Sequence, residues 1–339
     1  MAVLETEPAA SPGTETVPPK RGGWARLGSV EALAAVVIAV LIGRGWLTGL
    51  FSSPRALTLI TVFVSIMVQA MPFLVLGTIL SASISAFVPT KFFQRALPSK
   101  PAAAVPVAGL AGMVLPACEC GSVPVAGALM RRGVTPAAAF AFLLASPAIN
   151  PIVLISTAVA FPGRPSMVVA RFVASLATAV IMGWLWLRLG QPSWLRPVRL
   201  HDSHLERGWQ AFWTSCRHDL VQAGGFLVIG ALAAATLNVT VPPAWLEAIA
   251  ANQVFSVIAL ALLAVLLSIC SEADAFVAAS LSQFSFTARL AFLVVGPMID
   301  IKLFAMQVGS FGPKFAVRFA PATFVVAVLV AVVVGWVFW

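Results

Sequence analysis

The sequence has few charged residues, no tyrosine and only three histidines. Charged side chains make up 10% of its 339 residues, whereas 60% are hydrophobic and the mean hydropathy is +0.99. Soluble globular domains carry roughly a quarter charged residues, so this composition excludes that class and predicts a polytopic helical membrane protein. The net charge of +9 does not indicate nucleic-acid binding, because the lysines and arginines lie at the ends of apolar runs.

Motifs for ATP hydrolysis and for a zinc cage are also missing. No G-x-x-x-x-G-K-[ST] loop occurs, so secondary transport is the simpler mechanism, and we expect neither enzymatic activity nor a cofactor. No histidine is expected in a membrane segment, which disfavours a full zinc site. The pair His201 and His204, with His218 and Cys216 nearby, lacks a clear ligand spacing and fits a solvated loop better than a metal site.

Changes in composition divide the chain into five segments. Residues 1–22 are rich in Pro, Thr and Glu and lack apolar periodicity, which predicts a disordered cytoplasmic tail. The other segments are an extra N-terminal transmembrane helix at 23–52, a first membrane repeat at 53–189, a cytoplasmic loop at 190–217 and a second membrane repeat at 218–339.

The second membrane segment repeats the first. Four matched pairs recur in the same order: V-Q-A-M-P-F-L-V-L-G at 68–77 with V-Q-A-G-G-F-L-V-I-G at 221–230, Cys118 with Cys270, A-F-L-L-A-S-P-A-I-N at 141–150 with A-F-L-V-V-G-P-M-I-D at 291–300, and Arg171 with Arg318. Apolar sequences resemble one another easily, but a constant order at nearly constant spacing predicts a true internal repeat.

The apolar run Val105–Met130 is the central feature of the first repeat. Two prolines and a glycine interrupt its middle, where Cys118, Glu119 and Cys120 lie. Irregular backbone at membrane depth persists only where protein or a water-filled cavity covers it. The run therefore predicts a re-entrant hairpin with two thiols and a carboxylate at its tip.

The distribution of basic residues supports a hairpin there. If the run crossed the bilayer, the Arg-rich loop at 190–217 would lie outside, against the positive-inside rule. With a hairpin, each half has three spanning helices, an odd number, so the halves are inverted relative to each other. The predicted fold is an all-α inverted repeat with broken helices at the midplane and with the N-terminus cytoplasmic.

Thiols and polar groups at the breaks form the candidate site. A C-x-C pair on non-helical backbone can direct both sulfurs at one soft partner, such as trivalent arsenic, Cu(I) or Zn, so Cys118 and Cys120 are also candidate metal ligands. The alternative is that each buried cysteine is a small hydrophobe. The predicted substrate-binding set is Cys118, Glu119, Cys120, Cys270, Asn150 and Asp300.

Three further charges lie in or beside apolar runs, where an unpaired charge is costly. Glu272 and Asp274 follow Cys270 and are candidate proton carriers, unless they lie in an external vestibule. Lys302 is two residues from Asp300, so the two either form an ion pair or leave Lys302 snorkelling toward the interface.

Three motifs together carry a resemblance to a known family. P-A-C-E-C-G-S-V-P at 116–124, S-P-A-I-N-P at 146–151 and G-P-M-I-D-I-K at 296–302 resemble the bacterial predicted-permease family that includes the organoarsenical efflux permeases (ArsP type). The resemblance covers about residues 55–339 and implies an exporting permease in the plasma (inner) membrane of a bacterium, with Cys118 and Cys120 as the ligand pair. Glu119 departs from the small residue usual between these cysteines, and its charge favours a cation over a neutral arsenical.

The expected function is therefore a permease that moves a small soft solute, a trivalent arsenical or soft metal ion, by alternating access. Its expected partners are the lipid bilayer, the solute and protons as the coupling ion. One alternative is a permease for a small anion or organic solute that uses helix dipoles, with incidental cysteines. Another is a membrane-embedded thiol redox protein in which Cys118 and Cys120 cycle between dithiol and disulfide.

Overall fold

The structure, a computed structural model, describes residues 54–89, 92, 95–114, 118–196, 208–240 and 253–339. Residues Arg55–Trp339 form one compact unit, and within the described ranges the secondary structure is helical, with no strand. The tail predicted at 1–22, the extra helix predicted at 23–52 and the pair His201 and His204 lie outside the described residues.

Twelve α-helices occur in the described part of the chain. They are α1 Pro54–Phe87, α2 Pro101–Ala111, α3 Glu119–Arg131, α4 Pro136–Ile149, α5 Pro151–Ala160, α6 Pro165–Leu189, α7 Trp209–Thr240, α8 Gln253–Leu267, α9 Asp274–Ser280, α10 Phe286–Met298, α11 Ile301–Phe311 and α12 Pro313–Phe338. Helices α1 to α6 are called the first half below, and α7 to α12 the second half. Proline begins several of them because the first helical N–H has no partner within the helix.

Six helical segments of the described residues are long and apolar enough to cross a membrane. They are Ala56–Phe87, Pro136–Ala160, Pro165–Leu189, Trp209–Leu237, Phe286–Phe311 and Pro313–Phe338. Three belong to each half, so the chain is a multi-pass helical membrane protein, as its composition predicts.

The middle candidate span of each half is broken by a polar residue. In the first half, Asn150 separates α4 from α5 and its side-chain oxygen accepts a hydrogen bond from the Val153 N–H at 2.9 Å. In the second half, Asp300 separates α10 from α11 and accepts from the Leu303 N–H in the same way. Each break therefore caps the helix that follows it.

Each half also contains a pair of short helices that follow one another in the chain. In the first half α2 is followed by a 3-10 turn at Gly112–Val114 and then by α3; in the second half α8 is followed by a turn and then by α9. The apolar helices Pro101–Val114 and Phe255–Leu267 are shorter than the six candidate spans. The run Val105–Met130 is thus divided into two helices, but the second begins at Glu119 and contains Gly121 and Pro124, so these two residues do not interrupt it as their types predict.

The two halves pack against each other through exchanged contacts. Helix α3 of the first half packs against α11 of the second, while α9 of the second half packs against α5 of the first, and α4 packs against α10. The second helix of each short pair therefore contacts the helix that follows the break in the opposite half. This exchange brings helices α3 and α9 to the interface between the halves.

Two matched glycines allow backbones to touch beside the breaks. A Cβ built on Gly77 of α1 would overlap the Cα of Gly121 in α3, and a Cβ built on Gly230 of α7 would lie 2.6 Å from the Cα of Lys302 in α11. Gly77 and Gly230 are the last residues of the matched segments 68–77 and 221–230. Any side chain at either position would push a helix away from a break.

Helix α7 begins earlier than the sequence suggests. It starts at Trp209, so part of the stretch expected as a loop at 190–217 is helical. His218 consequently lies in the helix that contains the candidate span Trp209–Leu237. Trp209 and Trp213 near the start of this helix suit both the membrane interior and its interface, so their positions do not show where the helix begins.

Candidate substrate site

The turns at the two matched cysteines have the same backbone hydrogen bonds. The Cys118 carbonyl accepts from the N–H groups three and four residues later, at 3.1 Å each, and the Cys270 carbonyl does so at 2.9 and 3.0 Å. Each cysteine therefore starts a helical turn. The two cysteines thus have the same position relative to the turn that follows them.

The thiols at the breaks are buried and lie in one electrostatic environment. Cys118 and Cys120 are fully buried and Cys270 is 3% exposed; all are free. Cys120 is close enough to Cys118 to interact with it electrostatically. Cys270 is close enough to Glu119 and Cys118 to interact with them electrostatically. Both halves thus contribute sulfur to one buried region.

A buried ion-pair cluster lies beside these thiols. The Lys302 ammonium is 2.7 Å from Oε1 of Glu119 and 3.3 Å from Oδ2 of Asp300, and it donates a 2.9 Å hydrogen bond to the Ser268 carbonyl. Glu119, Asp300 and Lys302 are each at most 1% exposed. The predicted pairing of Asp300 with Lys302 is present, and Lys302 does not snorkel toward water.

Ser268 has an unusual backbone conformation and makes hydrogen bonds to two residues of this region. Its φ angle of 49° lies in the left-handed region, which a residue with a side chain adopts at a cost of order 1 kcal/mol or more. The Ser268 hydroxyl accepts a hydrogen bond from the Ile301 N–H at 3.3 Å, while its carbonyl accepts from Lys302. The turn after α8 is thus fixed to the start of α11.

A second buried ion pair crosses between the halves at Arg171. Its guanidinium is 2.9 Å from Oδ2 of Asp274 and donates to the Thr157 hydroxyl at 2.7 Å and to the Ser271 carbonyl at 3.2 Å. Arg171 is fully buried and Asp274 is 2% exposed. Asp274 therefore lies inside the protein with a cationic partner, not in an open vestibule.

Glu272 lies at the edge of the same region. Its side chain is partly exposed, and it interacts electrostatically with Glu119, Arg171 and Lys302. Since it is less buried than Glu119 or Asp274, it is the acidic group of this region with the most contact with the outside of the protein.

A third ion pair between the halves involves Arg131 and Asp219. The guanidinium of Arg131 at the end of α3 is 3.0 Å from Oδ2 of Asp219 in α7. Ser81 of α1 donates to the same carboxylate oxygen at 2.6 Å. The Arg131 side chain is 31% exposed, so this pair lies nearer the surface than the other two.

Several fully buried polar atoms at the breaks have no hydrogen-bond partner among the described residues. They are both carboxylate oxygens of Glu119, Oδ1 of Asp274, Oδ2 of Asp300 and the hydroxyls of Ser146 and Ser271. Oε1 of Glu119 and Oδ2 of Asp300 nevertheless face Lys302 as ion pairs. Because buried polar atoms in native proteins are usually partnered, the unpaired atoms that remain make this region unusual within the described residues.

The described residues contain no group of three or more His, Cys, Asp or Glu side chains placed to hold a metal ion. The thiols of Cys118 and Cys120 interact with each other, but Glu119 between them is directed to Lys302. The arrangement in this structure therefore offers a pair of sulfur ligands, not a complete metal cage.

Sequence reasoning missed two cations that the structure places between the halves. Arg171 and Arg131 were visible in the sequence, and Arg171 lies inside the apolar run of α6, where an isolated charge is costly. That position was the available signal for a buried partner. Asp219, in the apolar α7, gave a similar signal for Arg131. Conversely, Asn150 and Asp300 were predicted at the site, and both have helix-capping roles there.

Multiple candidate spans, broken helices and paired charges in the interior define a helical membrane protein of the transporter class. Comparison with known proteins agrees: a family described as "Predicted permease" (ArsP_1) matches residues 55–336. The chain belongs to this family, which confirms the resemblance seen in the motifs.

Two curated relatives extend the comparison. The UPF0718 protein YcgR of Bacillus subtilis (strain 168) is 38% identical over 282 residues, covering 81% of this chain and 95% of the relative. A protein of Streptococcus mutans serotype c (strain ATCC 700610 / UA159), named "Putative two-component membrane permease complex subunit", is 31% identical over 284 residues, covering 81% and 94%. No solved structure gives a significant match.

Proposed function

We propose that this chain is a secondary-type permease that exports a small soft solute, such as a trivalent arsenical or a soft metal ion, through the site between its two halves. Membership of a permease family supports transport. The observation that carries the choice of solute is the burial of two interacting thiols, Cys118 and Cys120, with Cys270 of the other half nearby. Thiol sulfur prefers soft partners.

The proposed mechanism is alternating access by an inverted repeat. Three spans in each half and exchanged packing of α3 with α11 and of α9 with α5 support it. In this proposal α2 with α3, and α8 with α9, are re-entrant hairpins whose tips meet at the midplane. Rocking of one half against the other then opens the site to each side in turn.

Orientation and direction are part of the same proposal. With re-entrant hairpins, the basic residues Arg131 and Arg132 and the Arg-rich stretch at 190–217 face the cytoplasm, together with the N-terminus, as the positive-inside rule requires. Export from a bacterial inner membrane follows from the likeness to arsenical exporters. Protons are the proposed coupling ion, with Glu272 and Asp274 as candidate carriers.

The small-anion alternative receives less support from the charges at the site. Glu119, Asp300, Asp274 and Glu272 outnumber the two buried cations, Lys302 and Arg171, so an added anion would be repelled. The name of the S. mutans relative adds a separate proposal, that a partner subunit joins this chain in the membrane. Co-purification from native membranes tests that point.

A growth screen tests the proposed function. Cells with and without the chain are challenged with arsenite, methylarsenite, antimonite, copper, zinc and cadmium, and the cell-associated content of each element is measured. Expression should raise resistance to at least one agent and lower its content, and Cys118→Ser/Cys120→Ser should remove both effects. Resistance that persists in this double variant would contradict the thiol site.

A further inference from the structure

Lys302 has ion-pair and hydrogen-bond partners in both halves of the protein. Asp300 and the Ser268 carbonyl belong to the second half, as Lys302 does, whereas Glu119 belongs to the first. If the contact with Glu119 breaks, the ammonium keeps a carboxylate at 3.3 Å and a carbonyl at 2.9 Å. Lys302 can therefore release Glu119 without becoming a buried, unpaired charge.

Glu119, in contrast, has no second ion-pair partner among the described residues. Its Oε1 faces Lys302, and its Oε2 has neither a hydrogen bond nor an ion pair among the described residues. The carboxylate is fully buried between Cys118 and Cys120 in the sequence. Release of Lys302 would leave a buried anion unpaired, which costs several kcal/mol. Something positively charged has to take the place of the lysine.

The charges around the thiols also favour a cation. Glu119 and Asp300 carry two negative charges against the single positive charge of Lys302, while Arg171 and Asp274 balance each other. A neutral solute would leave Glu119 on Lys302 and gain nothing from it. A cation gains the attraction of the carboxylate directly, in a buried site where that attraction is strong.

We propose that Lys302 is a tethered cation that holds Glu119 while the site is empty, and that the cargo is a soft divalent cation of the Zn(II) or Cd(II) class which displaces it. The Cys118 and Cys120 thiolates then bind the cation and their two protons leave to solvent, while the Glu119 carboxylate, no longer paired with Lys302, supplies the counter-charge. This proposal rests on the proposed function and narrows it. Lys302 is in this account a specificity-determining residue, because it sets the charge that the cargo must bring.

The test compares a cation with a neutral ligand of the same two thiols. Binding of Cd(II) and of methylarsonous acid to the purified full chain is measured by equilibrium dialysis with elemental detection. Lys302→Met removes the competitor, so the Kd for Cd(II) should fall about tenfold while the Kd for the arsenical changes by less than about twofold. Lys302→Arg keeps the charge and should leave both affinities near those of the wild type.

Glu119→Gln gives the opposite expectation. The Kd for Cd(II) should rise about tenfold, with the arsenical again little changed. In the double variant Glu119→Gln/Lys302→Met the side chain at position 119 is uncharged, so the loss of Lys302 leaves no unpaired carboxylate there. This variant should bind Cd(II) as weakly as Glu119→Gln. Retained binding of the arsenical shows that each variant is folded around its thiols.

The outcomes separate the two proposals. Equal tightening of both ligands in Lys302→Met, or Cd(II) binding that ignores both Lys302→Met and Glu119→Gln, would overturn the tethered-cation proposal. If both ligands still bind to Cys118→Ser/Cys120→Ser with wild-type affinity, the proposed thiol site itself is wrong. Loss of both ligands in the cysteine variant, together with selective effects at Lys302 and Glu119, supports both proposals.

Discussion

The turn at Cys118 carries two thiols and a carboxylate within three residues, Cys118 to Cys120, whereas the turn at Cys270 carries one thiol and is followed one turn later by Asp274, which pairs with Arg171. Their backbone turns are alike. The cations differ too, since Glu119 pairs with the flexible Lys302 of α11 and Asp274 with the Arg171 guanidinium of α6. A common scaffold thus supports two sites with different chemistry.

The two ion pairs therefore differ in their expected roles. Arg171 makes contacts with Thr157, Ser271 and Asp274 through both terminal nitrogens, which fixes its geometry as a guanidinium fork does. Lys302 makes its contacts with Glu119, Asp300 and the Ser268 carbonyl through a single ammonium, which has no fixed fork geometry. The account therefore assigns the Arg171 pair to holding the halves together and the Lys302 pair to exchange with cargo.

The largest effect is expected when the bracing pair is broken. Arg171→Met leaves Asp274 buried and unpaired, which should cost about 3 to 5 kcal/mol of stability. Thermal unfolding in detergent measures the loss. The matched residue Arg318, which is exposed over the Trp194 ring at 4.7 Å, is the control, because Arg318→Met should cost only about 0.5 to 1 kcal/mol.

Equal losses at Arg171 and Arg318 would contradict this asymmetry between the halves. A second variant strengthens the comparison: Arg171→Met/Asp274→Leu removes both buried charges and should recover most of the stability, since apolar replacement of a buried ion pair is often neutral or better.

A smaller effect is expected at the two glycines that let helices approach the breaks. Gly77→Ala and Gly230→Ala force a methyl group against backbone in α3 and α11, and each should cost about 1 to 3 kcal/mol. A built Cβ on Gly225 of α7 meets nothing within 4 Å, so Gly225→Ala should instead stabilise its helix by about 0.5 to 1 kcal/mol. Thermal unfolding of the three variants under one condition measures these changes in stability. Destabilisation by Gly225→Ala would contradict the packing described.

The smallest effect is expected at the surface-proximal pair of Arg131 and Asp219. Its guanidinium is partly exposed, so solvent screens the attraction, and Asp219→Asn should cost roughly 1 kcal/mol. The loss should shrink as salt is added, whereas the loss in Arg171→Met should not. A double-mutant cycle with Arg131→Met measures the coupling energy between Arg131 and Asp219. A coupling as large and as insensitive to salt as that of Arg171 with Asp274 would contradict the expected difference between the two ion pairs.

Much of the site could be predicted from local sequence because breaks are local. Proline and glycine in an apolar run indicate where a helix ends, and they located the caps at Asn150 and Asp300. The turn at Cys270 has no proline or glycine beside it and was located by its match with Cys118 in the repeat. The Asp300 and Lys302 pair is also local, two residues apart. Apart from the turn at Cys270, each of these predictions needed only the chain on either side of the break.

The crossed ion pairs could not be predicted because they depend on packing between halves. Nothing near Glu119 in the sequence selects Lys302 over Arg171 as its partner, since that choice follows from α3 packing against α11 and α9 against α5. The same holds for Arg131 and Asp219, which are 88 residues apart. Charges inside apolar runs indicate that a partner exists, but not which one.

Transport by the purified protein tests the thiol site most directly. Proteoliposomes with the wild type, with Cys118→Ser/Cys120→Ser, or with Cys216→Ser are loaded in turn with Cd(II), Zn(II) and methylarsonous acid, and efflux is followed by elemental detection. Cys216 packs in a separate cluster with Ala82 and Phe212, so its variant is the matched control. The account predicts efflux of at least one of these solutes by the wild type and Cys216→Ser and none by the double variant; full efflux by the double variant would contradict it.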